Sequence, residues 1–343
     1  MLGFLNKLFK SAIILLLIII LCLTFYVSIF LDSPFGSKRE KVVTLIKKGA
    51  SPKKIASQLK EEGLIKSAFA FHGGYAIFYS PAYLKAGEYE FHLPAKPRKI
   101  LNDLIKGNIL LHLITIPEGL TFKEIEALLI EKKYPYQGSF EEACQKTELI
   151  ADLDPEARNL EGYLFPETYH FPREIKAEEM VKSMVDQFKK SFLEKEVDSI
   201  KNSGFKLRDI VILASLIEKE TAVPEEKPLV SAVFHNRLKL GMKLDCDPTI
   251  IYALKLENRY DGNIRSRDKN LNSPYNTYLY RGLPPGPICN PGKDSLLAAL
   301  RPASVDYLYF VARNDGTHVF NKSFEEHLKA VRKFQLKSRP GLR

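Results

Sequence analysis

The stretch LASLIEKETAVPEE, from Leu213 to Glu226, predicts a buried helix that ends in two glutamates, Glu218 and Glu220. The residues before them are apolar on every side, which is typical of a helix inside a core. An ionised carboxylate at the edge of a core is costly, and burial raises the pKa of a carboxyl group. A carboxyl in this setting is a candidate proton donor near neutral pH. The pattern leaves an alternative equally open, in which both glutamates only form ion pairs in the last helical turn.

The two glutamates are predicted to point to different sides of this helix. Because they are two residues apart, their side chains lie about 200° from each other around the helix axis and cannot share one cleft. The stripe of side chains behind Glu218 contains the small residues Ala214 and Ser215. The stripe behind Glu220 is bulky and aliphatic, as at Ile217. Since small residues leave room for a ligand, we predict that Glu218 is the cleft-facing acid and that Glu220 is a structural or orienting partner.

An uncharged run near the N-terminus, AIILLLIIILCLTFYVSIFL (Ala12 to Leu31), is long enough to cross a bilayer as a helix. A cleaved signal peptide would have a shorter apolar run and small residues at the cutting site, but this run ends in bulky side chains such as Phe25. A lipoprotein anchor on Cys22 would need small residues just before it, and the two residues there, isoleucine and leucine, are bulky. We therefore predict an uncleaved single-pass anchor in the cell (inner) membrane, with the N-terminus in the cytoplasm and the rest of the chain outside. Basic residues on both flanks give this orientation only weak support.

Composition excludes several other classes of protein. With 343 residues, 45% of them hydrophobic and 27% charged, the chain has room for two folded domains. The net charge is +10, but Lys and Glu are mixed throughout and no basic block is interleaved with aromatics, so no nucleic-acid partner is predicted. The cysteines lack metal-ligand spacing, so neither a metal nor a cofactor is predicted. Cys246 and Cys289 could pair in an oxidising compartment or remain two isolated buried thiols.

The chain is predicted to have three parts: a cytoplasmic tail and anchor (1–34), a small module (35–108) and a larger part (109–343). The small module reads as two strands and three helices, in the order Val42–Ile46, Pro52–Glu61, Ser67–Tyr79, Gly87–Phe91 and Arg98–Lys106.

The larger part is predicted to begin with a strand over Ile109–Ile116. Further expected elements are a helix capped by Thr121 with Glu124, an amphipathic helix over Ala177–Glu196 and a β-hairpin that turns at Asn314–Gly316. Helices and strands without βαβ regularity predict an α+β fold, with a mixed α/β larger part, rather than a doubly wound sheet.

Two long irregular stretches, EGYLFPETYHFP (Glu161 to Pro172) and SPYNTYLYRGLPPGPICNPG (Ser273 to Gly292), are rich in tyrosine and proline. Long loops inside a folded domain are more often functional than not. Tyrosines beside amides suit a carbohydrate, because sugar rings stack on aromatic faces and sugar hydroxyls take hydrogen bonds. For any single tyrosine a place in the core is the alternative. The candidate sugar-binding residues are Tyr169, Tyr275 and Tyr278 as platforms and Asn236 and Asn276 as hydrogen-bond donors.

Three further polar residues lie near the helix end or in the segment that follows it. Thr221, three residues after Glu218, is expected to hydrogen-bond that glutamate. Asp245 is a candidate second carboxylate near Glu218. Asp247, just before Pro248, is expected to be a helix N-cap.

Five motifs occur in one order: EGYLFPETY, ASLIEKETA, FHNRLKLGMKLDCDPTIIYAL, SPYNTYLYRGLPPGPICNPG and YLYFVA. Together they closely resemble the YceG-like endolytic murein transglycosylases, from about Ile109 to the C-terminus. The small module resembles the LysM-like subdomain of the same family, and the anchor fits it as well. The cysteines Cys246 and Cys289 depart from what the motifs would need.

The resemblance implies a membrane-bound lytic transglycosylase that cuts nascent peptidoglycan glycan strands internally, leaves 1,6-anhydromuramyl ends and terminates glycan elongation. Peptidoglycan strands and peptidoglycan synthases would be its partners, and it would need no metal or cofactor. The family's catalytic glutamate is the first of the E-K-E-T motif, which is Glu218 here. On this basis Glu218→Gln is expected to be folded and inactive, and Glu220→Gln to lose less activity or to lose stability. A hydrolysing muramidase and a non-catalytic glycan-binding scaffold are the competing functions.

Overall fold

A computed structural model gives the structure of residues 2–37 and 40–336. The chain divides into unit 1, which is Met1–His112 with His170–Arg173, and unit 2, which is Leu113–Tyr169 with Glu174–Arg343. Residues 337–343, the end of the predicted larger part, lie outside the described residues.

Unit 1 contains a long helix and a small α+β module. Its elements are, in order, α1 (Leu2–Asp32), β1 (Lys41–Ile46), α2 (Pro52–Glu61), α3 (Ala68–Phe78), β2 (Gly87–His92) and α4 (Pro97–Lys106). Strands β1 and β2 are antiparallel. The Ser51 hydroxyl caps α2 by accepting a hydrogen bond from the Lys54 amide, and Gly107 ends α4 in the left-handed region that glycine favours. The five elements predicted for the small module are confirmed.

Helix α1 is, within the described ranges, the one helix with the length and apolar composition to cross a membrane. Most of its uncharged run is exposed, but its last turns are part of the hydrophobic core of unit 1. Val27 and Leu31 are buried there, and Arg98 of α4 donates hydrogen bonds to both carboxylate oxygens of Asp32, at 2.8 and 2.7 Å. The end of α1 and the small module therefore fold as one body.

The remaining elements run from the end of unit 1 through unit 2. They are β3 (Leu111–Thr115), α5 (Phe122–Glu131), β4 (Tyr136–Gln137), α6 (Phe140–Cys144), β5 (Thr168–Pro172), β6 (Ile175–Lys176), α7 (Ala177–Phe188), α8 (Glu194–Ser203), α9 (Leu207–Glu220), α10 (Lys227–Lys239), α11 (Asp247–Leu256), α12 (Lys293–Leu300), β7 (Tyr309–Ala312), β8 (His318–Asn321) and α13 (Phe324–Val331).

The sheets formed by the described residues are all two-stranded: β1 with β2, β3 with β5, β4 with β6, and β7 with β8. The predicted capping box of Thr121 and Glu124 and the hairpin around Asn314–Gly316 are confirmed. The amphipathic helix predicted over Ala177–Glu196 is confirmed, since the backbone stays helical from α7 through a π-helical turn at Lys189–Leu193 into α8. The fold is a mixture of helices and small sheets, so the predicted α+β class is confirmed at that coarse level, with helices dominant in unit 2.

Helix α9 is the centre of the unit 2 core. The side chains from Ile210 to Ile217 are all buried, and α12 and α10 pack against this helix. A helix that is apolar on every side needs neighbours on every side. Those neighbours decide what surrounds the two glutamates at the C-terminal end of α9.

Candidate active site

Glu218 and Glu220 lie in the last turn of α9, where the helix leaves the core. The chain departs from helical geometry at the next residue, Thr221, whose φ is −140° and ψ is 135°. The two carboxyl groups contact different residues, as their spacing predicts. Glu220 lines a groove that could hold a large ligand, whereas Glu218 contacts side chains and backbone of α10 and α12.

The carboxylate of Glu218 is held by three hydrogen-bond donors. Its Oε2 accepts from the Gly292 amide at 3.0 Å and from the Ser295 hydroxyl at 2.6 Å. Both oxygens lie within 3.4 Å of the Lys227 ammonium, which is itself buried. Gly292 caps α12, so the carboxylate also meets the positive end of that helix. Glu218 therefore forms a buried ion pair that joins α9 to α10 and α12.

The surroundings predicted for Glu218 are wrong in two respects. The carboxyl is not in an apolar setting, because donors with full or partial positive charge surround it. The space beside Ala214 and Ser215 is not open to a ligand either, since both residues are completely buried. The Ser215 hydroxyl accepts a hydrogen bond from the Ile288 amide at 3.1 Å. The irregular segment Ser273–Gly292 thus fills the room that the small side chains leave.

A third carboxyl group, which sequence reasoning missed, lies near Glu218. Glu118 follows β3 in the loop before α5, and one of its oxygens is 3.7 Å from the Lys227 ammonium. Burial and the negative charge of Glu218 raise the pKa of Glu118. A Cβ at Gly292 would lie 1.9 Å from the Glu118 carboxyl carbon, so a side chain there would displace the half-exposed carboxyl from its present position. The two glutamates share one lysine, which supports a role in holding these loops together.

Glu220 opens instead onto a groove of about 620 Å³. Side chains from α10, α11, the β7–β8 hairpin and α13 form its walls. Its polar and aromatic lining consists of Glu220, Arg237, Asp245, Asp247, Lys269, Tyr278, Tyr309, Phe310, His318, Phe324, His327 and Gln335. Aromatic faces alternate here with charged groups, which suits a ligand that has both apolar faces and hydroxyl groups.

The carboxyl of Glu220 is poised to exchange a proton near neutral pH. Burial raises its pKa to about 7, and the negative charge of Asp247 acts in the same direction. A hydrogen bond with the Cys246 thiol and the positive charges of His318 and Arg237 oppose the rise. Burial also raises the pKa of that thiol, so Cys246 remains a neutral donor to the carboxyl. Glu220 can therefore carry a proton at pH 7, and nearby cations can stabilise its anion.

Asp247 organises one wall of the groove. Its Oδ1 accepts a hydrogen bond from the Tyr278 hydroxyl at 2.5 Å and lies 3.1 Å from the Lys269 ammonium. That ammonium lies 4.3 Å from the centroid of the Tyr278 ring. The N-cap role expected for Asp247 is wrong, because Cys246 is the N-cap and Asp247 is the first residue of α11. Its carboxylate is thereby free to fix Tyr278, a predicted sugar platform, in the groove.

Asp245 also lies in this groove. The sequence suggested a position near Glu218, which is wrong. Arg237 donates to Asp245 Oδ2 at 3.2 Å and to the backbone oxygen of Leu244 at 2.9 Å. The same guanidinium lies 5.2 Å from the centroid of the Tyr309 ring. Arg237 therefore fixes both a carboxylate and an aromatic face of the groove, a role that its place in a predicted helix did not reveal.

Thr221 does not bond Glu218. Its hydroxyl donates to Glu226 Oε2 at 3.2 Å, and Glu226 in turn holds His318 through a side-chain contact of 2.7 Å. This chain of contacts links the end of α9 to strand β8 and places a histidine near Glu220. The sequence offered no metal spacing for His318, and its pairing with Glu226 gives it a structural partner instead.

The other predicted sugar-binding residues lie away from this groove. Asn236 donates both amide hydrogens to backbone oxygens, of Val305 at 2.8 Å and Tyr307 at 3.0 Å. Asn276 is completely buried and its amide nitrogen donates to backbone oxygens of its own loop. Tyr169 is buried with its hydroxyl donating to the Phe165 oxygen at 2.6 Å. Tyr275 packs on the Tyr252 ring at 4.8 Å. The alternative place in the core describes Tyr169, whereas both asparagines bond backbone oxygens and Tyr275 is half-buried against Tyr252.

Asn290 and Glu161 connect the two irregular stretches. The Asn290 side-chain oxygen accepts from the Gly162 and Leu164 amides at 2.8 and 3.0 Å, and its nitrogen donates to Glu161 Oε1 at 2.9 Å. Burial raises the pKa of Glu161 to about 8. The hydrogen bonds that connect the two stretches therefore include a carboxyl group that is neutral at pH 7. No sequence pattern predicted these contacts, beyond an asparagine between a cysteine and a proline.

The cysteines of the described chain are not paired. Cys144, Cys246 and Cys289 are free and buried, and the Cys289 thiol donates to the Ser215 oxygen at 3.4 Å. Of the two alternatives left open by the sequence, isolated thiols describe Cys246 and Cys289.

Comparison with known proteins agrees with this architecture. The sequence model of the YceG-like family matches residues 44–333. An endolytic murein transglycosylase from Bacillus subtilis (strain 168) is 34% identical over 316 residues, which is 84% of this chain and 83% of that protein. A protein of the same name from Streptococcus pneumoniae serotype 2 (strain D39 / NCTC 7466) is 30% identical over 340 residues. That match covers 88% of this chain and 60% of the pneumococcal protein, so the chain spans less than two thirds of it.

Among solved structures, a crystal structure of a yceG-like protein from Listeria monocytogenes is similar to this chain. The two are 31% identical with a TM-score of 0.57, over 85% of this chain and 100% of the other. A family match that covers most of the chain, with relatives above 30% identity, determines the family. The chain belongs to the YceG-like family.

Proposed function

We propose that this chain is an endolytic lytic transglycosylase, which cleaves the bond between N-acetylmuramic acid and N-acetylglucosamine within peptidoglycan strands. Relatives over most of its length are named endolytic murein transglycosylases. The observation that carries the mechanism is the carboxyl of Glu220, whose pKa of about 7 coincides with its position in the aromatic groove. The products are 1,6-anhydromuramyl ends, and cutting nascent strands in this way terminates their elongation.

We assign the acid to Glu220 and not to Glu218, the first glutamate of the E-K-E-T motif. Glu218 accepts hydrogen bonds from Lys227, Gly292 and Ser295, and its side chain is only 9% exposed. A general acid must reach the leaving oxygen of the substrate, directly or through one water. Glu220 has an open groove in front of it, so it meets this geometric requirement. The motif therefore supplies one glutamate for chemistry and the other for the ion pair that holds the helix end.

A single carboxyl is sufficient for the proposed reaction. Protonated Glu220 donates its proton to the glycosidic oxygen as the bond from that oxygen to C1 of N-acetylmuramic acid breaks. The resulting carboxylate accepts the proton of the C6 hydroxyl of the same sugar while the C6 oxygen forms the new bond to C1. Glu220 is again protonated at the end of the cycle, and water is not consumed. The positive charges of Arg237 and His318 stabilise the carboxylate during the intermediate stage.

The groove also provides surfaces for the sugar rings. Tyr278 and Tyr309 present aromatic faces that are fixed by Asp247 and Arg237, respectively. Asp245 and Asp247 are both engaged by cationic side chains. In a glycoside hydrolase a second carboxylate would have to activate a water molecule or attack C1. The engagement of both aspartates favours a role in binding sugar hydroxyl groups.

Helix α1 is proposed to anchor the chain in the cell membrane. Its length and composition allow a single crossing, with the N-terminus in the cytoplasm and unit 2 outside, where nascent peptidoglycan lies. The small module of unit 1 has the order β1–α2–α3–β2, and we propose that it is LysM-like and binds glycan. Peptidoglycan synthases are the proposed partners of the anchored enzyme.

Product analysis tests the proposed reaction. We expect purified protein incubated with isolated glycan strands to yield internal fragments that end in 1,6-anhydromuramic acid, identified by mass spectrometry. These ends are lighter than a reducing muramic acid end by the mass of one water. Reducing ends would instead identify a hydrolysing muramidase, and binding of strands without cleavage would identify a glycan-binding scaffold.

A further inference from the structure

Unit 1 contains an uncharged segment that is partly exposed. Between Lys66 and Lys85 the chain has no Lys, Arg, Asp or Glu, and this segment comprises α3 and the loop after it. Its exposed large side chains are Phe69 at 78%, Ile77 at 44%, Phe78 at 44% and Tyr83 at 88%. Single exposed apolar residues are ordinary on a protein surface, but several within one uncharged segment indicate a surface that meets an apolar partner.

Helix α3 packs directly against the end of α1. A Cβ placed on Gly74 would lie 2.8 Å from Leu31 Cδ1, and one placed on Gly73 would lie 3.9 Å from Val27 Cγ2. Gly74 therefore allows the helices to approach closely, while a Cβ at Gly73 would make an ordinary contact. Val27 and Leu31 are buried by this contact and are part of the core of unit 1. The depth of α3 relative to a bilayer follows from the depth of these two residues.

The uncharged run Ala12–Leu31 matches the hydrocarbon thickness of a bilayer, which takes about 20 helical residues to cross about 30 Å. The helix therefore leaves the hydrocarbon close to Leu31. Val27 precedes Leu31 by one helical turn and lies about 6 Å deeper. Because α3 contacts both residues, it lies level with the boundary between the acyl chains and the headgroups.

We propose that α3 and the loop after it insert their exposed phenylalanine, isoleucine and tyrosine side chains into the outer interface of the bilayer that α1 crosses. This inference rests on the proposed membrane anchor. Aromatic side chains are enriched at that depth, and an interfacial helix buries its apolar side about 5–10 Å into the headgroup and acyl boundary. The absence of charge over the whole segment removes the main cost of insertion. Unit 1 is then held against the membrane surface by two elements.

Tryptophan fluorescence in lipid vesicles tests this placement, because the chain has no tryptophan of its own. Full-length single-tryptophan variants are reconstituted into phosphatidylethanolamine and phosphatidylglycerol vesicles, with or without lipids brominated on the acyl chain near the headgroup. Phe69→Trp reports on α3, and Phe25→Trp, in the exposed part of α1, reports on the anchor. Val43→Trp is the matched control, since Val43 is 47% exposed in β1 opposite Glu90 of the Lys41–Glu90 ion pair. Tyr83→Trp replaces Phe69→Trp if that variant does not fold.

We expect brominated lipid to reduce the emission of Phe69→Trp and Phe25→Trp roughly twofold, as for groups in the interface and the hydrocarbon, and to leave Val43→Trp unchanged. Quenching of Phe25→Trp alone would overturn the inference about α3 and leave the anchor intact. Equal quenching of Phe69→Trp and Val43→Trp would also overturn it, because contact would then not be specific to α3. If none of the variants is quenched, the anchor is absent and the inference falls with it.

Discussion

Replacing Glu220 with glutamine is expected to reduce the formation of anhydromuramyl ends about 1,000-fold, in the range that loss of a general acid and base costs. The amide has nearly the same size as the carboxyl but can neither donate the proton to the leaving oxygen nor accept the C6 proton. Because Glu220 lies at the edge of the groove and has no ion pair shorter than 4.0 Å among the described residues, the fold is expected to be unchanged. Product formation is measured by mass spectrometry, and folding by circular dichroism.

The control for this variant is Glu257→Gln, which changes an exposed glutamate just after α11 that pairs with the neighbouring Arg259. Wild-type activity is expected for it, since exposed pairs of this kind contribute little to stability. If the Glu220→Gln protein kept more than a tenth of the wild-type rate, Glu220 would not be the proton donor.

Glu218→Gln is expected to lower the free energy of unfolding by roughly 3 kcal/mol, because removing one partner of a buried ion pair leaves the other charge uncompensated. The Lys227 ammonium side chain is only 5% exposed, and Glu118, 3.7 Å away, replaces only part of the lost charge. Glutamine also has one acceptor oxygen where glutamate has two, so the hydrogen bonds from the Ser295 hydroxyl and the Gly292 amide would be weakened. Urea unfolding at pH 7 measures the change, and activity is reported per folded molecule.

A double-mutant cycle with Lys227→Met separates the ion pair from other effects of the substitution. The double variant is expected to be more stable than the sum of the two single losses predicts, since it leaves no buried ammonium without a partner and the Glu118 carboxyl that loses its lysine is half exposed. A Glu218→Gln protein with wild-type stability and no activity would support the assignment of the acid to Glu218 that the motif suggested.

Local patterns predicted much of the fold, because the interactions that form those elements are close in sequence. The Ser51 cap of α2, the capping box of Thr121 with Glu124 and the β7–β8 hairpin each depend on residues a few positions apart. The spacing of Glu218 and Glu220 correctly predicted that they face different surroundings. The burial of α9 followed from its apolar composition.

The side of α9 that is open could not be predicted from the helix itself. The small residues beside Glu218 are covered because the Ile288 amide hydrogen-bonds Ser215, a contact between residues 73 positions apart. The groove beside Glu220 is built from α10, α11 and the β7–β8 hairpin, which follow it along the chain. A small side chain leaves space, but only the tertiary fold decides whether substrate or protein fills it.

The predicted sugar platforms Tyr275 and Tyr278 have different surroundings for the same reason. Tyr278 lies in the groove because Asp247 and Lys269 hold it there, whereas Tyr275, three residues earlier, packs on Tyr252. Both tyrosines lie in the same tyrosine-rich loop, so the composition of that loop does not tell them apart. Only the partners that the fold supplies, Asp247 and Lys269 for Tyr278 and Tyr252 for Tyr275, distinguish the residue that lines the groove from the one that does not.

The pH dependence of kcat/KM for the formation of anhydromuramyl ends tests the central claim most directly, since it reports the pKa of the essential acid in the free enzyme. The pKa of Glu220 is raised by burial to about 7, and the protonated form is the one that starts the reaction. Below that pH most molecules carry the proton, and above it the active fraction falls about tenfold for each pH unit. We therefore expect a plateau in mildly acidic solution and a steep fall above about pH 7. Activity that stays constant up to pH 9, or that rises with pH, would contradict it.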